Sequence, residues 1–223
     1  MGKLAAGRVH LYTPGDWFDL LADSPDREAT RSRCAELVRL TYPDVAATRR
    51  AEFTDALLQW HDTLYADGVL MYGIITAPLP STGAQAAWQI YAGVVEVPDN
   101  PSDLDLGELM TKLFAENYHA APSYTEAYTT DMGMGFGFVA QPFLPVPEGP
   151  GPVPEGPGHV PEGLGEGVGV PSVPIGLAGA LACPSEGGRG LLVIGTSLAA
   201  DQAWELAGLV AVIGGRSVFA DSQ

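Results

Sequence analysis

Two cysteines, Cys34 and Cys183, are all that the 223 residues contain. That is too few for a disulfide framework or a cysteine-rich metal knot. Both fall in apolar-patterned segments, where free cysteine acts as a small core residue. Basic charge is almost absent after the first fifty residues. Residues 51–223 carry 3 Lys and Arg against 20 Asp and Glu, a net of −17, and the whole chain carries −16. A field of that sign repels phosphate backbones and anionic headgroups. It argues against nucleic acid and membrane surfaces as partners, and for a protein partner with a basic surface. No uncharged apolar run reaches the roughly 18 residues of a spanning helix. Residues 1–16 lack the apolar stretch of a secretory signal, and Ala6 stands where a myristoylation signal needs Ser or Thr. The expectation is a soluble, cytoplasmic protein.

Catalytic signatures are missing too. A nucleotide loop needs Gly-x-Gly-x-x-Gly, or a Gly-rich loop ending in Lys-Ser/Thr, between strand and helix. Gly133, Gly135 and Gly137 instead alternate inside a strand pattern, sharing one face on which a helix or a Trp ring can pack. Gly195-Thr-Ser197 lacks the second glycine of a nucleophile elbow. His61-Asp62 has no further ligands of the metal-dependent phosphohydrolase kind at a readable spacing, and reads as a helix-surface histidine. Asp99, Asp103, Asp105 and Glu108 surround a helix start, where the dipole stabilises them without calcium. No catalytic, cofactor-binding or metal-binding residue can be assigned, and no cofactor is implied.

What is present is periodic. Arg8–Tyr12 reads as a strand closed by Thr13-Pro14-Gly15. Ser24 and Pro25 open a helix with Cys34, Leu37, Val38 and Thr41 on one face. Phe53, Ala56, Leu57, Trp60 and Leu64 form the clearest helical stripe, with Trp60 as a buried core residue. Six arginines from Arg27 to Arg50 read as a solvated helix face with partners such as Glu28. Strands are expected at 69–76, 87–97, 125–130 and 136–144, and a helix at 102–118. After residue 174 come a hairpin, 175–183 with 191–197, then a helix with Ala203, Leu206, Ala207, Val210 and Ile213 inward, closed by Gly214-Gly215, and a short strand at 216–219. Strands follow strands through short turns, so the expected fold is α+β, a central antiparallel sheet with helices packed on it.

Residues 1–144 and 175–223 together make one such domain. Between them, 145–174 holds a seven-residue Pro-Val-Pro-Glu-Gly repeat in which 17 of 30 residues are Pro or Gly. No amphipathic face can form there, so this Pro/Gly/Glu-rich segment reads as a flexible insertion. Pro147-Glu-Gly-Pro150 has the P-x-x-P form, without the basic flank that aromatic grooves prefer in their ligands. A spacer is the expectation.

Leu11-Tyr-Thr-Pro14-Gly-Asp-Trp17 at the start, and Leu191–Ser197 with the helix and strand after it at the end, resemble the PsbP-like fold family, in particular its LpqN-type actinobacterial branch. That resemblance implies a central antiparallel sheet and non-enzymatic roles, either partner binding or, in the lipoprotein branch, binding of lipid-linked ligands. The family has no shared catalytic set to carry over, and the lipoprotein cysteine near the N-terminus is missing here. Three functions follow in order: a non-catalytic protein-interaction or adaptor protein; a carrier of an apolar or lipid-like small ligand, its pocket lined by Trp60, Trp88 and Phe138; and an enzyme whose site is scattered through the sequence.

Overall fold

The computed structural model describes residues 9–13, 15, 17–22, 26–75, 88–100, 105, 124–145 and 172–220. The strands are β1 (Val9–His10), β2 (Phe18–Asp19), β3 (Val69–Ile75), β4 (Trp88–Glu96), β5 (Tyr124–Thr130), β6 (Gly133–Ala140), β7 (Phe143–Pro145), β8 (Ser172–Pro174), β9 (Gly176–Pro184), β10 (Arg189–Ser197) and β11 (Val218–Phe219). The helices are α1 (Arg27–Thr41), α2 (Ala47–Ala66) and α3 (Ala203–Arg216). Seven strands form one sheet in the order β2-β3-β4-β10-β9-β6-β5, every neighbour antiparallel. The fold is therefore α+β, a large antiparallel sheet with helices packed on it.

Side chains alternate across the sheet. One face gathers Ile90 and Ala92 of β4, Leu191 and Val193 of β10, and Ala178 and Ala180 of β9 beneath Leu206, Val210 and Ile213 of α3. Small residues let the helix sit close. A Cβ on Gly195 would stand 2.7 Å from Leu206 Cδ1, and one on Gly214 would stand 3.1 Å from the Ala180 Cβ. Gly214 and Gly215 therefore do not end α3, which continues to Arg216. The opposite face packs Tyr72 of β3 with Leu20, Leu21, Cys34, Leu58 and Leu64 under α1 and α2.

The helix pair departs from its sequence pattern in two ways. Ser24 and Pro25 lie outside the described residues, and Asp26 caps α1 by accepting from the Glu28 and Ala29 amides, each at 3.1 Å. On α2 the buried residues are Thr54, Leu58, His61 and Leu64, while Trp60 is 44 % exposed. Trp60 is not a core residue, and His61 is not on the surface. Burial of Leu58 and Leu64 against Leu20, Leu21, Cys34 and Tyr72 sets the inward face of the helix. Along its exposed flank Arg27 meets Asp62 at 2.7 Å and Arg31 meets Asp55 at 3.1 Å, pairs too exposed to add much. Phe53, Leu57 and Trp60 are left at the far rim. Thr54 becomes buriable because its hydroxyl donates to the Arg50 carbonyl at 2.9 Å. Other arginines pair within their own helix, Arg39 with Glu36 and Arg49 with Glu52, rather than with Glu28.

Gly135 and Gly137 of β6 carry the Tyr128 ring of the neighbouring strand β5, while Gly133 faces the Cys183 carbonyl and Ser185. A Cβ on Gly135 would lie 2.7 Å from the Tyr128 ring, and one on Gly137 3.2 Å from it. At the margins, β1 pairs with β11, joining Val9 to Phe219, and β7 pairs with β8, joining Pro145 to Ser172. Pro145 and Ser172–Pro174 thus belong to an ordered ribbon, where proline is tolerated because a two-stranded ribbon has free edges. Residues 146–171, and the helix expected at 102–118 apart from Asp105, lie outside the described residues.

Candidate apolar docking groove

Helix α3 is apolar on nearly every side. Between Glu205 and Arg216 its sequence is Leu-Ala-Gly-Leu-Val-Ala-Val-Ile-Gly-Gly, without a polar side chain. Such a helix is ordinarily buried all round. Here only Ala203, Leu206, Val210, Ile213 and Gly214 are buried. Trp204 is 55 % exposed and Val212 40 %, with Gly208 also open to solvent.

The Trp204 ring lies 5.3 Å from that of Tyr124 on the edge strand β5. Between helix and strand runs a groove of about 250 Å³, lined among others by Tyr124, Glu126, Tyr128, Trp204, Ala207 and Ala211. Glycine on β6 and alanine on α3 keep this space open, because neither carries a side chain long enough to fill it. Tyr124 donates to Glu126 Oε2 at 3.0 Å. The Tyr128 hydroxyl is buried with no hydrogen-bond partner among the described residues. Its pKa is pushed up to about 12, chiefly by burial and then by the nearby Glu126 carboxylate. A wider depression of about 550 Å³ lies near the β5–β6 turn, bordered by Asn100, Ala127, Tyr128, Thr129, Gly133, Met134 and Ser185. None of these described residues is a carboxylate, histidine or cation.

Trp60, Trp88 and Phe138 do not share a pocket. Trp88 is buried beneath α3, its indole donating to Gln202 Oε1 at 2.8 Å; Ser197 donates to the same oxygen at 3.1 Å. Phe138 borders the groove, but its ring lies on the sheet's other face, packed over Gly179 with Leu177 and Ile194. Trp60 stands at the α2 rim, edge-on to Tyr72 with ring centres 6.0 Å apart. The residues that do converge, Tyr124, Tyr128 and Trp204, were not singled out from sequence. The signal was the outward half of α3, where Trp204, Gly208 and Val212 are as apolar as the inward half.

The remaining reactive groups are occupied structurally. His61 Nδ1 lies 3.1 Å from Asp62 Oδ1, and its ring stacks on Tyr65. The His61 hydrogen bond, with Arg27 adding to it, holds the Asp62 carboxyl below its ordinary range. Burial raises the Cys34 thiol, against the lowering pull of Arg33 and Arg31, and pushes Cys183 up to about 11, which disfavours the thiolate at both. Among the described residues no three His, Cys, Asp or Glu side chains converge as metal ligands, and no helix is long and apolar enough to cross a membrane. No family model, no curated protein and no solved structure matches this chain.

Proposed function

We propose that this is a non-catalytic protein-interaction protein and that the outward side of α3, with the Tyr124 edge of β5, is its docking surface. The observation that carries this is the apolar strip of Trp204, Gly208 and Val212 left exposed along α3. Trp and Tyr at the rim of a shallow apolar groove supply large contact area at low entropic cost, as they do at the centres of protein interfaces. The resemblance to PsbP-like proteins supports the same class of role. A basic partner would be drawn by the acidic remainder of the chain, since the docking face itself holds few charges.

The buried, unpartnered Tyr128 hydroxyl favours a second function, binding of an apolar small ligand that offers an acceptor to this group. The groove beside α3, about 250 Å³, falls below the roughly 300–1,000 Å³ of drug-sized ligand sites, whereas the depression of about 550 Å³ that Tyr128 also borders falls within that range.

Photo-crosslinking separates the two. A photoreactive residue replacing Val212 in the full chain, expressed in its own cell, should give protein adducts of defined mass. The same residue at the exposed Gln59 on α2 should give none. Equal labelling at both positions sinks the docking surface, and lipid or metabolite adducts at Val212 alone select the small-ligand function.

A further inference from the structure

Tyr124, Glu126 and Tyr128 stand on one face of β5, because side chains two apart in a strand project together. In the groove beside α3 they bring two phenol rings and the Trp204 indole together with Glu126, the one charged side chain among the described lining residues. The Tyr124 and Trp204 rings meet at 53°, an inclined aromatic wall. The carboxylate is half used. Its Oε2 accepts from the Tyr124 hydroxyl at 3.0 Å, and its Oε1 has no hydrogen bond among the described residues. That hydrogen bond raises the Tyr124 pKa, while Tyr128 is raised by burial and then by the Glu126 charge, so the carboxylate is felt by both phenols. The buried Tyr128 hydroxyl, with no partner among the described residues, has lone pairs to offer.

Aromatic faces, an open carboxylate oxygen and a phenol oxygen together suit a positive charge. We propose that this groove is a lysine pocket, filled by the alkylammonium side chain of a lysine on a basic protein partner. The inference rests on the docking surface above and names what that surface grips.

Size and charge select this occupant. About 250 Å³ is small for a whole drug-sized ligand and suits one long side chain. The methylenes of a lysine pack along the rings while its head keeps to the polar groups. An arginine brings a planar fork matched to both oxygens of a carboxylate, and Tyr124 already holds Oε2. An ammonium is a point donor, for which one carboxylate oxygen and one phenol are fitting partners. An uncharged apolar side chain would draw nothing from Glu126. The net −17 on residues 51–223 adds a field that gathers cations around the site.

The test is NMR on the full chain, following the Trp204 indole N–H, with Nα-acetyl-lysine methylamide as the probe at fixed ionic strength. The expected result is a saturable shift of that signal. The buried Trp88 indole, bonded to Gln202, should stay in place and reports an intact fold. Nα-acetyl-norleucine methylamide keeps the butyl stem without the charge, and should bind about fivefold more weakly or worse. E126Q should weaken the lysine probe by a similar factor, and Y128F by about threefold. Y128F also removes a buried unpaired hydroxyl and should make the fold more stable, so its weaker binding cannot be put down to misfolding. Absence of a saturable shift, a norleucine or arginine analogue that binds as tightly as the lysine probe, or an E126Q or Y128F chain that binds it as wild type does would each overturn the lysine pocket. If the probe fails while a photoreactive residue at Val212 still captures a protein, the docking surface stands and only its anchor changes. If the probe binds and Val212 captures nothing, the docking surface falls, and with it the partner's lysine, leaving a site for a free amine.

Discussion

Tyr128 does two opposed things with one side chain. Its ring covers Gly135 and Gly137, while its hydroxyl is buried without an acceptor among the described residues. A buried, unpaired hydroxyl costs about 1–3 kcal/mol. Tyr128→Phe keeps the ring and removes the cost, so it should stabilise the protein by about 1 kcal/mol in urea unfolding at neutral pH. The same variant changes the alkaline limb. Tyr128 titrates at about 12 in the fold and at about 10 unfolded. The unfolded chain therefore releases the proton first, and wild-type stability falls as pH rises through that interval. The Phe variant should lose this part of the decline. A destabilised Phe variant would mean that the hydroxyl is bonded after all. On α2, Leu58→Ala should cost about 2–5 kcal/mol, and Trp60→Ala should cost clearly less, because Leu58 is 1 % exposed and Trp60 44 %. Denaturant midpoints would reverse that order if Trp60 were the core residue that its spacing suggests.

Spacing alone located the elements of this chain better than it oriented them. Strands β3 and β4 were legible as β-branched and aromatic runs separated by Pro and Gly, and β9 and β10 as two apolar runs flanking Pro184-Ser-Glu-Gly-Gly-Arg-Gly190. The two-residue β2 was not, since Phe18-Asp19 carries no period of its own and pairs only through β3. On α2 the apolar positions Phe53, Leu57 and Trp60 outline a stripe, but the face that is buried is Thr54, Leu58, His61 and Leu64. Two of those four are polar, so the apolar pattern alone pointed one step round the helix. On α3 the inward residues were legible, and the site lay in the residues left over. Helix α3 also yields a prediction of its own. Gly208→Ala should stabilise the folded chain by about 1 kcal/mol, because its Cβ enters open space, whereas Gly214→Ala gains nothing, because its Cβ crowds Ala180. Thermal midpoints of the two variants should diverge accordingly.

At the scale of the whole molecule, two small ribbons hold its margins. The β7–β8 ribbon brings Pro145 and Ser172 into register, so the 26 residues between them close a loop whose ends are already fixed. Replacing 146–171 by a short Gly-Ser turn should change stability by no more than about 1 kcal/mol, since closure entropy varies slowly with length. A drop in thermal midpoint of many degrees would show that the segment packs against the domain. The β1–β11 ribbon does something different. Val9 faces Phe219 and His10 faces Val218, so the chain leading into β1 and the chain leaving β11 depart from the same end of the pair. Tension applied through those two departing stretches therefore loads the ladder one rung at a time, as a zip opens, rather than shearing both rungs together. In an optical trap this margin should peel first and at low force, exposing Phe219 and the cation above it, Arg189, before the seven-stranded sheet yields.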